Sequence, residues 1–107
     1  MKLVIEIISH TNDDHATHRS VDKFPVMIGR GFQNDIILTD PHISAQHLRI
    51  DGVDGRWTVT DLESENGTVI HGARHIGSGA VVKSGDAVRL GHTELRFYNP
   101  HHPVPAA

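Results

Sequence analysis

Arg30, Ser44 and Asn66 are the residues whose types and spacing could do chemistry together. Arg30 follows Gly29, Ser44 heads the run Ser44-Ala45-Gln46-His47, and Asn66 lies within Asp61-Leu62-Glu63-Ser64-Glu65-Asn66-Gly67-Thr68. A guanidinium offers charge-assisted, forked hydrogen bonds that suit phosphate oxygens better than a lysine point charge does. A serine hydroxyl adds one donor, and backbone N–H groups freed by glycine add others. The asparagine amide carries donor and acceptor on one plane, as reading the main chain of a bound peptide requires. Together these groups make a site for a tetrahedral dianion beside an extended peptide.

Each residue alone has a plainer explanation. An arginine after glycine is most often a solvated surface residue, a serine before an apolar strand is usually a turn former, and Asn-Gly is usually a tight turn. The inference rests on their order and spacing, and on the short apolar runs between them, which supply a rigid scaffold for loop-borne chemistry.

Those runs read as strands. Leu3 to Ile8 is rich in β-branched residues and is followed by a polar loop from Ser9 to His18 that has no apolar pattern. A short strand around Arg19 to Val21 is expected next, then Phe24 to Ile28, which delivers Gly29-Arg30 to its end. Asp35-Ile36-Ile37-Leu38 is brief and stops at Asp40-Pro41, because a residue before proline is pushed towards extended or turn geometry. Leu48 and Ile50 alternate with Arg49, and Asp51-Gly52 and Asp54-Gly55 mark a hairpin turn into Trp57 to Thr60. Val69-Ile70, Ala80 to Val82, Ala87 to Leu90 and Glu94 to Tyr98 complete the series. With no sustained 3.6-residue periodicity, roughly ten short strands and glycine-rich turns predict an antiparallel β-sandwich.

The chain has 107 residues and no cysteine, which fits one domain that folds without staples and excludes a disulfide framework or a zinc–thiolate cluster. The formal charge of −3 leaves no electrostatic footprint for a nucleic-acid backbone, so any anion site must be local. The longest apolar run is far shorter than the ~20 residues of a membrane span. The expectation is a soluble, cytoplasmic domain over residues 1–98 without direct membrane contact. Residues 99–107 form a proline-rich tail or linker, and the whole reads as a piece of a longer protein.

The combined pattern resembles the forkhead-associated domain, a β-sandwich that binds phosphothreonine peptides. The residues that carry it are Gly29-Arg30, Asn34-Asp35-Ile36-x-Leu38-x-Asp40, Ile43-Ser44-x-x-His47, Asp61-Leu62-x-Ser64-x-Asn66-Gly67-Thr68, Gly72 and Gly85-Asp86. The resemblance implies about eleven strands, with Arg30 and Ser44 gripping phosphate, the position of Glu65 beside it, and Asn66 holding the peptide backbone. It makes His47 an internal brace behind Ser44, and Gly29 and Gly67 shapers of the loops. Selection of residues C-terminal to the phosphothreonine would fall near His42 and the Gly91-His92 turn. No cofactor or metal is implied, and the partner is a phosphothreonine-containing protein or peptide.

Two positions depart from the family pattern. Ala45 stands where many members have a basic or amide residue, and Glu65 stands where they have serine or threonine. A carboxylate about 6 Å from a phosphate of charge about −2 is repelled by ~1.4 kcal/mol even at the dielectric of water, or about tenfold in affinity. The sequence therefore predicts weak to moderate phosphopeptide binding. It leaves open a phospho-independent interaction or oligomerisation domain with a degraded phosphate site. A hydrolase built on Ser44, His47 and Asp61 is disfavoured, because Ser44 lies in Ile43-Ser44-Ala45 and not in a nucleophile elbow. Of the ten histidines, His10, His15, His18, His71, His75 and His92 read as lying on separate loops with no ligand pair at i,i+4 spacing, and the adjacent His101-His102 would bind a metal only adventitiously.

Overall fold

The computed structural model describes residues 2–10, 15–54 and 56–100. The described residues form eleven strands in two packed sheets. One has six, in the order β2 (His15–Val21), β1 (Leu3–Ser9), β11 (Thr93–Tyr98), β10 (Ala87–Leu90), β7 (Thr68–Ile70) and β8 (Ala73–His75). The other has five, in the order β4 (Ile36–Ile37), β3 (Val26–Gly29), β5 (Leu48–Val53), β6 (Arg56–Asp61) and β9 (Gly79–Val82). This is the all-β sandwich expected from the sequence, and the described residues contain no helix.

Alternation decides which side chains enter the core. Leu48 and Ile50 of β5 and Trp57 and Val59 of β6 point inwards, against Val88 and Leu90 of β10 and Leu95 and Phe97 of β11. Each such side chain contributes about 1.5–3 kcal/mol by leaving water, so the core fixes the strand registers on which the loops depend.

Four details differ from the sequence reading. The stretch read as a loop up to His18 is already strand from His15, paired with β1 along its whole length from Leu3↔Val21 to Ser9↔His15. Six of its seven residues are exposed, so the ladder and not an apolar face makes this edge strand, and no alternation could announce it. β8 was not expected for the same reason: Ala73 and Arg74 are exposed, and the strand exists through pairing with β7. β4 runs parallel to β3, through Ile28↔Ile36 and Gly29↔Ile37, whereas the other pairings are antiparallel. Asp51-Gly52 is not a turn but part of β5, facing Thr58 and Trp57 of β6. The turn follows at Asp54, while Gly55 of that turn signal and the tail over 101–107 lie outside the described residues.

The loops after β3, between β4 and β5, between β6 and β7, and between β10 and β11 gather at one end. Main-chain bonds tie the first two, with Arg30 N–H to Ser44 C=O and Gly31 N–H to Ala45 C=O, both at 3.0 Å.

Candidate functional site

Arg30 leaves the end of β3 with its position fixed twice. Its main-chain N–H is held by Ser44, and its Nε donates to the Ile43 carbonyl at 3.0 Å. Arg30 is exposed, and among the described residues no carboxylate pairs with its guanidinium. Gly29 permits this close approach, since a Cβ there would collide with the Ala45 carbonyl. Asn34 reinforces the same corner by donating from Nδ2 to the carbonyls of Gly31 (2.8 Å) and Ala45 (2.6 Å).

Ser44 sits half-buried beside Arg30, and its Oγ accepts the Glu65 N–H at 3.0 Å. That bond uses one of the two lone pairs of the hydroxyl, which keeps its hydrogen as a donor. Behind it, the fully buried His47 ring accepts the Ser44 N–H at Nδ1 (3.1 Å), which assigns the ring proton to Nε2, 2.9 Å from the Gly67 carbonyl. His47 thus bridges the two loops through their main chains. Asp61 Oδ2 lies 3.7 Å from Nε2, and Ser44 Oγ is bonded to Glu65 and not to His47, so these three residues are neighbours without forming a proton relay.

The loop carrying Glu65 and Asn66 hangs on Asp61. Its carboxylate accepts the Ser64 N–H (2.9 Å), the hydroxyls of Ser64 (2.6 Å) and Thr68 (2.7 Å), and the Gly77 N–H (3.1 Å). Burial alone would raise its pKa. The bonds from the Ser64 and Thr68 hydroxyls and the Ser64 and Gly77 amides outweigh burial and hold it below the usual 3.8. Ser64 Oγ in turn accepts the Gly67 N–H at 2.8 Å, and Gly67 takes a φ of +81°, where a side chain would be strained. Asn66 is exposed, and its Nδ2 donates to the His42 carbonyl at 2.9 Å.

Asp40 organises the adjoining corner. It accepts the N–H groups of His42 (2.9 Å) and His92 (2.6 Å) and the Thr93 hydroxyl (3.0 Å). Here too burial acts to raise the pKa, and the His42 and His92 amides followed by Thr93 prevail and lower it. The two histidine rings meet with centroids 4.4 Å apart, above Gly91. All ten residues singled out from the sequence, namely Gly29, Arg30, His42, Ser44, His47, Glu65, Asn66, Gly67, Gly91 and His92, therefore lie at one end of the sandwich.

Comparison with known proteins bears on this arrangement. The chain is 39% identical over 73 residues to the FHA domain-containing protein FhaB of Mycolicibacterium smegmatis, which is 68% of this chain and 46% of FhaB. The chain spans about half the length of the curated relatives it matches first. A structure from a study of phosphothreonine-dependent FHA domain interactions superposes with a TM-score of 0.79 at 26% identity, over 97% of this chain and all of that one. The FhaA FHA domain, solved in complex with the intracellular domain of Rv3910, superposes with a TM-score of 0.69 at 26% identity, over 87% of this chain and 98% of that one. Residues 13–101 match the family described as "Inner membrane component of T3SS, cytoplasmic domain". The chain belongs to that family and is a forkhead-associated domain.

Two arginines of this forkhead-associated domain escaped the sequence reading. Arg74 and Arg89 border a depression of about 280 Å³ that begins at Asn66 and is closed by His42 and His92. Finding them required knowing that β8 exists and that β7 separates it from β10, information carried by sheet order and not by any local motif. Among the described residues no group of histidines and carboxylates is arranged to hold a metal, and no helix is long and apolar enough to cross a membrane.

Proposed function

We propose that this domain is a non-enzymatic module that docks a partner protein in the cytoplasm by recognising phosphothreonine. The observation that carries the reading is the convergence of the Arg30 guanidinium, which no carboxylate among the described residues neutralises, with a Ser44 hydroxyl that the Glu65 N–H holds in place. Such a pair offers donors to a phosphate, and the donors are held before the ligand arrives. Asn66, one loop away, then reads the peptide main chain with its amide, while Gly29, His47 and Gly67 keep the loops in shape. The similar structure from a study of phosphothreonine-dependent FHA domain interactions supports the same reading. The module would act as part of a longer protein and needs no cofactor.

A second reading has one observation behind it: the Glu65 side chain is exposed at the phosphate end, where its charge opposes an anion. In that reading the domain binds its partner without phosphorylation.

Titration with a phosphothreonine peptide library and its unphosphorylated counterpart separates the two. The proposed function requires preference for the phosphorylated library, and Arg30→Ala should abolish that preference. Equal affinity for both libraries overturns the mechanism, and a preference that survives Arg30→Ala overturns the site assignment.

A further inference from the structure

Beyond the phosphate grip, the outer face of the six-stranded sheet carries a basic feature that the phosphothreonine reading does not use. Val69 of β7 lies opposite Arg89 of β10 on one side and Arg74 of β8 on the other, so the three side chains form one cross-strand row. Ile70 and Val88, their chain neighbours, are buried, which turns this row outwards. The row ends at the loops. A Cβ on Gly67 would lie 2.8 Å from Arg74 Cγ, so the Arg74 stem crosses directly over the residue that follows Asn66.

The charges around this row are one-sided. Among the described residues neither guanidinium has a carboxylate partner. Glu94, opposite Arg89 on β11, is turned to Arg96 at 2.6 Å and towards His10 at 3.7 Å. Asp40 lies below Gly91 but spends its oxygens on His42, His92 and Thr93. The depression of about 280 Å³ is thus bordered by two arginines, two histidines and Asn66, with no carboxylate among the described residues in its wall.

We infer that Arg74 and Arg89 form a second anion subsite, which takes an acidic side chain of the same peptide C-terminal to its phosphothreonine. This inference rests on the phosphothreonine reading, because Asn66 is what directs the peptide onto the row. An extended chain advances about 3.3 Å per residue, so the subsite is within reach of the first few residues beyond Asn66. A carboxylate and a phosphorylated serine share the required chemistry. Exposed ion pairs are individually weak, and two converging guanidiniums allow forked contacts to one anion.

The test is a set of phosphothreonine peptides bearing glutamine, glutamate or phosphoserine at each of the four following positions, titrated by fluorescence anisotropy. At one or two of those positions, glutamate should tighten binding about two- to fivefold over glutamine. Phosphoserine, with its charge of about −1.5 to −2, should tighten it further. The double variant Arg74→Gln, Arg89→Gln keeps the side-chain stems; it should lose the gain while still preferring phosphothreonine to threonine, with an unchanged melting temperature. A gain for phosphoserine alone would name a doubly phosphorylated partner, and a gain for both an acidic one. Equal affinity for all three residues at every position, or a gain that survives in the double variant, overturns the subsite and leaves the phosphothreonine reading intact. Failure of every phosphopeptide to bind overturns both.

Discussion

Asp61 takes three of its four hydrogen bonds from Ser64 and Thr68, three and seven residues further on. Asp40 takes two of its three from His92 and Thr93, 52 and 53 residues away. Both are buried carboxylates at the loop end, each holding one half of the proposed site. The Asp61 half presents main-chain groups, above all the Glu65 N–H that orients Ser44, whereas the Asp40 half presents the paired rings of His42 and His92. The first half can form from one short segment of chain. The second exists only once β10 and β11 have closed against the β4–β5 loop, because loop closure over so many residues must be compensated by the core. The loop that orients Ser44 is therefore built locally, whereas its meeting with Ser44 across 21 residues, like the pairing of the two rings, depends on the assembly of the sandwich.

The largest effect expected from breaking this comparison is that of Asp61→Ala. It strands four donors, two of them hydroxyls at a buried position, and should cost about 3–5 kcal/mol in urea denaturation. Asp40→Ala strands three donors, two of them amides of exposed residues that water can reach, and should cost about 1–3 kcal/mol. The two variants should also fail differently. Amide chemical shifts of Ser44 and Glu65 should move little in Asp40→Ala, while those of His42 and His92 change. If Asp40→Ala disturbs both halves equally, the division into a local and an assembled half is wrong.

The same contrast explains what was legible in the sequence. Asp61, Ser64, Asn66 and Thr68 stand in one eight-residue segment whose spacing already encodes the turn, so the loop could be read without a structure. Arg30 and Ser44 were legible through their order and spacing, and the role of His47 through the resemblance to the family. Arg74 was not, because Ala73-Arg74-His75 has no apolar face and becomes a strand only through its pairing with β7. The role of Asp40 was hidden for another reason: nothing near it in the chain indicates that its carboxylate meets the β10–β11 turn. β2 and the parallel pairing of β4 belong to the same class, being decided by which edge a strand finds and not by its own residues.

Acid should reveal both carboxylates, more gradually than deletion does. Each has a folded pKa lowered below the usual 3.8, so the stability each contributes is fully present above that value. It is lost as the pH falls through the lowered folded value, at up to about 1.4 kcal/mol per pH unit for each group. Unfolding free energy should therefore be insensitive to these two groups above pH 5, by roughly a unit's margin over the usual value, and decline below it. The decline should be shallower in Asp61→Asn and in Asp40→Asn than in the parent. A slope unchanged in both variants would mean that other groups govern the acid response.

The smallest expected effect concerns Glu65, whose N–H belongs to the local half while its side chain stands outside it. Glu65→Gln removes only the charge, and Glu65→Ser also restores a hydroxyl at that position; both keep the main-chain donor to Ser44 and the Asp61 anchor beneath it. If the side chain lay about 6 Å from a phosphate in water, either change would gain up to about tenfold in affinity. An exposed carboxylate can turn away, so the measured gain should fall short of that figure and shrink further as salt is raised. The gain should appear with the phosphorylated peptide and not with its unphosphorylated twin. Equal gains for Glu65→Gln and Glu65→Ser would assign the whole effect to charge, and an excess for serine would assign the remainder to its hydroxyl. Affinity that is unchanged or weaker in both variants would show that this loop acts through its main chain alone, with Glu65 no obstacle to the anion.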